Sequence, residues 1–180
     1  MILPLALLLL IFLFVHACVP KAITDLTLVE VRRVPVEANP GSGVHPARRG
    51  GPVWRLSFEG SAHWVGEVRQ HQLNGYATVA RCDNRDVELH ALGPYVDEVE
   101  IGVYADGFAT LDPGNRRKLR YDIYLPEAGR YSSARDANAP MPRYDLTQER
   151  LELCTRIVGG AMHGAYGRSN EVRVLVGQRG

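Results

Sequence analysis

Lys118-Leu119-Arg120-Tyr121-Asp122-Ile123-Tyr124-Leu125 alternates in side-chain character along its whole length. Leu119, Tyr121, Ile123 and Leu125 fall on one parity; Lys118, Arg120, Asp122 and Tyr124 fall on the other. Period two is the mark of a strand with one face in the core, and a helix cannot produce it. Upstream, Asp106-Gly107 and Asp112-Pro113-Gly114-Asn115 are turn sequences of the kind that separate strands. Further out, Val99, Ile101 and Val103 alternate with Glu98, Glu100 and Gly102. Toward the carboxyl end, Val172, Val174 and Val176 alternate with Glu171, Arg173 and Leu175.

The same pattern marks Leu26 and Leu28, then Trp54, Leu56 and Phe58, as the starts of two earlier strands. Tyr76 to Cys82 and Val87 to Leu92 add two candidates. One helix is predicted, from about Ser61 to Leu73, capped by Ser61 and ended at Gly75 in the left-handed conformation. Glu37 to Pro52 and Ala128 to Pro142 are rich in turn-forming residues and read as irregular surface segments. About eight short strands separated by turns predict an all-β sandwich rather than a βαβ arrangement.

The 180 residues are enough for one domain, and 21 basic against 20 acidic side chains leave a formal charge of +1. That balance excludes binding of nucleic acid by general phosphate attraction. The apolar fraction of 46% excludes wholesale disorder.

Met1 to Cys18 holds no Lys, Arg, Asp or Glu, and Leu5 to Val15 is continuous hydrocarbon. A short apolar run at the start of a chain reads as a secretory signal. Its end, Val15-His16-Ala17-Cys18, resembles the lipobox of bacterial lipoproteins. That resemblance implies a signal peptide over 1–17, diacylation of Cys18 and a lipidated tether over 18–24. A single body would then occupy 25–180. Two acyl chains suffice for stable anchoring, each buried methylene adding about 0.8 kcal/mol. It also implies an envelope protein facing the periplasm; Val19, in place of Asp, implies the outer membrane. The uncharged stretch also fits an uncleaved signal anchor, and cleavage after Ala17 would give plain secretion.

With Cys18 acylated, Cys82 and Cys154 remain as one pair for a disulfide in an oxidising compartment. The alternative is two unrelated buried thiols.

Pro20-Lys21-Ala22-Ile23-Thr24-Asp25-Leu26-Thr27-Leu28-Val29-Glu30-Val31 resembles the first strand of a fibronectin type III domain. Leu151 to Val158 resembles that family's penultimate strand, Gly159 to Gly167 its Gly-rich loop, and Arg168 to Val174 its final strand. The resemblance implies an immunoglobulin-like sandwich with the helix inserted. If Leu151, Leu153 and Ile157 face the core, period two sends Cys154 to the opposite face with Glu152 and Arg156. A Cys82–Cys154 bridge would then lie on the sandwich exterior.

Candidate chemistry is sparse. Gly159 to Gly167 has four glycines, and Met162, His163 and Tyr166 offer contact groups for an interaction loop. His63 and His71 are eight apart on the predicted helix, which places them on roughly one face. His45 and His90 complete the histidines beyond Cys18 apart from His163, and neither a His-x-x-x-His nor a CxxC motif accompanies them, so no metal or cofactor is expected. Ser61 and His63 lack the Gly-x-Ser-x-Gly elbow of a hydrolase. Asp97, Glu98 and Glu100 read as a solvated strand edge. Arg116-Arg117-Lys118 is a basic turn able to touch anionic headgroups.

The sequence therefore predicts a non-catalytic, lipid-anchored structural or interaction module with the membrane and an envelope protein as partners. Two alternatives stand beside it: a small secreted hydrolase or metal-binding enzyme using His63 or His163, and an inhibitor or immunity-type protein.

Overall fold

The computed structural model describes residues 23–34, 52–133, 136, 140–161 and 164–178, with the backbone alone for 164–166. The strands are β1 (Thr27–Val34), β2 (Val53–Ser61), β3 (Asn74–Arg81), β4 (Val87–Leu89), β5 (Leu92–Val96) and β6 (Val99–Glu100). They continue as β7 (Lys118–Pro126), β8 (Ala128–Ser133), β9 (Arg143–Asp145), β10 (Arg150–Ala161), β11 (Gly164–Arg168) and β12 (Val172–Gly177). One helix, α1 (His63–Gln70), and a 3-10 turn (Phe108–Thr110) interrupt them. The protein is all-β, with two antiparallel sheets and one short α-helix among the described residues.

The first sheet runs β1-β2-β7-β5-β6 and the second β11-β10-β3-β4-β8-β9, with β12 also paired to β10. β7 lies inside the first sheet, and its alternation is realised: Leu119, Tyr121, Ile123 and Leu125 are all buried. Across the core from them stand Val79 of β3, Leu153 and Ile157 of β10, and Val174 and Val176 of β12, all in one cluster. Tyr124, of the polar parity, is nevertheless buried on the other face. It packs edge-on against Tyr95 at 5.7 Å.

The helix is shorter than predicted, and its ends differ. Ser61 is the last residue of β2, paired with Lys118, so its backbone is extended and Ala62 stands at the cap without a side-chain bond. The Ser61 amide and hydroxyl instead donate to Asp25 Oδ1 at 2.9 and 2.7 Å. At the other end Gln72, with φ of +51°, makes the left-handed turn expected of Gly75. Gly75 belongs to β3, where a Cβ would stand 2.7 Å from the Trp64 ring and 2.8 Å from the Ile101 carbonyl. Close approach, not a helix stop, requires this glycine.

Three other expectations change. Val87 to Leu92 is split between β4 in the second sheet and β5 in the first, because the chain crosses the sandwich edge at His90 and Ala91. In the Val99–Val103 segment only Val99–Glu100 is a strand. Gly102 makes an isolated bridge with Asn74. Ala128–Ser133, read as irregular, is β8: the chain continues from β7 past Glu127 into the second sheet, a bend that lets one run serve both layers. The predicted loop from Glu37 to Pro52 lies outside the described residues, Pro52 excepted.

Candidate functional site

β10 positions the site. Its inward parity, Leu151, Leu153, Thr155 and Ile157, is buried, so Cys154, Arg156 and Val158 point to the outer face of the second sheet. Register places Thr78 opposite Arg156, Tyr76 opposite Val158, and Ala80 opposite Cys154. On the far side of β10, Arg168 stands opposite Val158 and Arg173 opposite Cys154. Short side chains at Thr78, Ala80 and Val158 are thus flanked by long ones. The result is a trough of about 290 Å³, walled by Arg85, Arg156, Arg168, Glu88 and Glu171.

Cys82 and Cys154 are joined in this wall, Sγ to Sγ at 2.07 Å across a separation of 72 residues. The bridge lies on the face that also carries Arg156, as the parity of Cys154 requires. It holds the turn between β3 and β4, whose Arg85 Nη1 donates to the carbonyls of Arg81 (3.2 Å) and Cys82. The same Arg85 reaches Glu171 Oε1 at 2.8 Å, while Arg156 meets Glu171 Oε2 at 3.1 Å. One carboxylate is thereby shared between two guanidinium groups drawn from different segments. Arg173 faces Glu152 at 3.5 Å. Arg168 is exposed and has no acidic partner among the described residues. Glu88, on β4, is half-buried, and removal from water pushes its carboxyl above the usual range.

The residues singled out in the sequence are placed as follows. Cys18, His45, Met162 and His163 lie outside the described residues. Tyr166 is on β11, described there in its backbone only. His63 opens α1 exposed to solvent. His71 is not on the helix at all but is its cap residue, 3.5 Å from Glu67, so the shared helical face of His63 and His71 does not form. Ser61 is engaged by Asp25, whose carboxyl is held below its ordinary 3.8 chiefly by the Ser61 hydroxyl. Asp97 and Glu98 form the turn between β5 and β6, both at positive φ, rather than a strand edge; Asp97 pairs with Arg116 at 2.7 Å. Lys118 pairs with Glu59 at 3.0 Å. Among the described residues no group of three or more His, Cys, Asp or Glu is arranged to hold a metal.

The trough is not legible in the sequence because its walls come from three distant segments. The outward parity of Arg156 and Glu152 was the available signal; nothing local brings Arg85 or Glu171 to them. No family model, curated protein or solved structure matches the chain.

Proposed function

We propose that the chain is a lipid-anchored envelope protein whose body is an immunoglobulin-like sandwich working by binding another envelope component. The observation that carries the sandwich part of this reading is the strand order, and the trough on the outer face of the second sheet carries the binding part. The reading is supported by β1-β2-β7-β5 in one layer and β3-β10-β12 in the other, which follow the order of the A-B-E-D and C-F-G layers of a constant-type immunoglobulin domain, β4, β6, β8, β9 and β11 being additional to it. Of the segments that resemble a fibronectin type III domain, the described part of the first overlaps β1 and Leu151 to Val158 lies on β10. Residues 159–161 and 164–167, expected as a loop, are instead paired strand of β10 and β11, and the last strand begins at Val172, Arg168 being the end of β11. α1 is then an insertion between B and C, and the β8–β9 hairpin an insertion between E and F. The bridge departs from the immunoglobulin pattern: it joins the end of C to F on one layer instead of B to F between layers.

A tether at Cys18 is compatible with the way the first described residues are held. Ile23 and Leu26 are tied to the start of β12 by Asn170, whose amide donates to the Ile23 carbonyl at 3.1 Å. The Asn170 side chain brackets Leu26, accepting from its amide and donating to its carbonyl, each at 2.8 Å. Cys18 is five residue steps upstream, so a lipid on its thiol would hold this end within about 20 Å of the bilayer. A binding role is supported by the polar trough on the outer face of the second sheet.

Metabolic labelling with a fatty-acid analogue tests the anchor. Label on the native chain and none on Cys18→Ser is expected; an unlabelled native chain overturns it. A photo-crosslinking residue at Thr78 tests the binding role in intact cells. One discrete adduct that is absent when the crosslinker sits at Asp112 is expected, and no adduct from Thr78 argues against a binding face here.

A further inference from the structure

We propose that the trough on the outer face of the second sheet binds an acidic segment of a partner protein, with Arg168 receiving a carboxylate. The inference rests on the reading of the chain as a binding module and names the chemistry of its partner. The wall already shows how it takes a carboxylate: Glu171 presents one oxygen to Arg85 at 2.8 Å and the other to Arg156 at 3.1 Å. Arg173 is matched by Glu152. Arg168, on the same face, has no acid among the described residues, and its guanidinium offers five N–H donors in a fixed fork. Level with it Tyr76 is 40% exposed, and Thr78 lines the trough two residues further along β3. The unmatched donors at the Arg168 end select an acceptor-only group, and an ionised carboxylate is the protein side chain of that kind.

Size and polarity narrow the occupant. The trough, about 290 Å³, admits a few side chains and not a helix. Arg168 lies level with Tyr76 and Val158, whereas Glu88 lies level with Ala80 and Cys154. Four residues along the strand separate these levels, roughly 13 Å. The occupant is therefore a short extended segment with its acid at the Arg168 end, since a second acid at the far end meets Glu88.

The test is fluorescence anisotropy on the full chain in detergent at low salt, with a labelled short peptide carrying two adjacent glutamates. A glutamine twin and a short oligothymidylate of similar charge serve as competitors. Saturable binding of the glutamate peptide is expected, with the twin about tenfold weaker or worse. Arg168→Glu should lose about tenfold or more, Arg168→Lys, which keeps the charge but not the fork, should lose less than Arg168→Glu, and Arg117→Glu should change nothing. Thermal unfolding of each variant reports that it is folded. Equal affinity of native and Arg168→Glu protein, absence of saturable binding, or stronger competition by the oligonucleotide would overturn the proposal. These outcomes are read independently of fatty-acid labelling, so a protein without an anchor can still bind the peptide, and an anchored one can fail to.

Discussion

Thr155 is fully buried at the centre of β10, and its hydroxyl has no hydrogen-bond partner among the described residues. A buried hydroxyl left unpaired costs about 1–3 kcal/mol. Thr155→Val keeps the shape and removes the polar atom, so it should stabilise the fold by about 1 kcal/mol, read by denaturant melts at constant m-value. Asp25 sits at the opposite extreme, a charge whose partners favour it. Its folded-state pKa is lowered, mainly by the Ser61 hydroxyl, so its contribution is present above the ordinary value of 3.8 and fades as pH falls below it. Asp25→Asn should therefore lower the Tm at pH 7, with the gap to native protein closing as the pH is taken below about 3.8. A gap independent of pH would assign the effect to packing.

At the scale of elements, two glycines separate conformational from steric demands. Gly66 lies inside α1 with open space where a Cβ would stand. Gly66→Ala should stabilise the protein by about 0.5–1 kcal/mol, because alanine is the better helix former. Gly75, the second residue of β3, abuts Trp64 and the Ile101 backbone. Gly75→Ala should destabilise it by about 1–3 kcal/mol, with weaker amide protection in the 101–105 segment that docks there. Paired chemical denaturation of the two variants checks the signs, and equal signs would contradict the contact geometry. The alternating elements were legible in advance: β7, β10 and β12 place their buried parity as the sequence pattern requires. α1 was found but misbounded, because Ser61 is drawn into the β2–β7 ladder and away from the cap. β8 was missed because Ala128 to Ser133 lacks a strong apolar alternation; the bend at Glu127 and pairing with β4 and β9 make it a strand.

At the scale of the whole molecule, the Cys82–Cys154 link ties β10 to the end of β3. By chain-entropy reckoning a loop of 72 residues contributes about 4 kcal/mol by restricting the unfolded chain. Cys82→Ser with Cys154→Ser should lower the Tm by on the order of 10 °C. Reduction of the native chain should lower it to the same value, since both remove one constraint. Because the link also secures the turn bearing Arg85, both treatments should loosen the Arg85–Glu171 pair, seen as faster amide exchange over 82–86.

The amino-acid sequence by itself determined the strand parity, the all-β class and the outward direction of Cys154 and Arg156, since alternation is a property of consecutive residues. Only the tertiary structure decided which strands are neighbours, that Val87 to Leu92 is shared between two sheets, and that Arg85, Arg156 and Glu171 meet in one wall. Those are pairings across tens of residues, set by the fit of a common core and of crossing backbones, and local spacing carries no record of them.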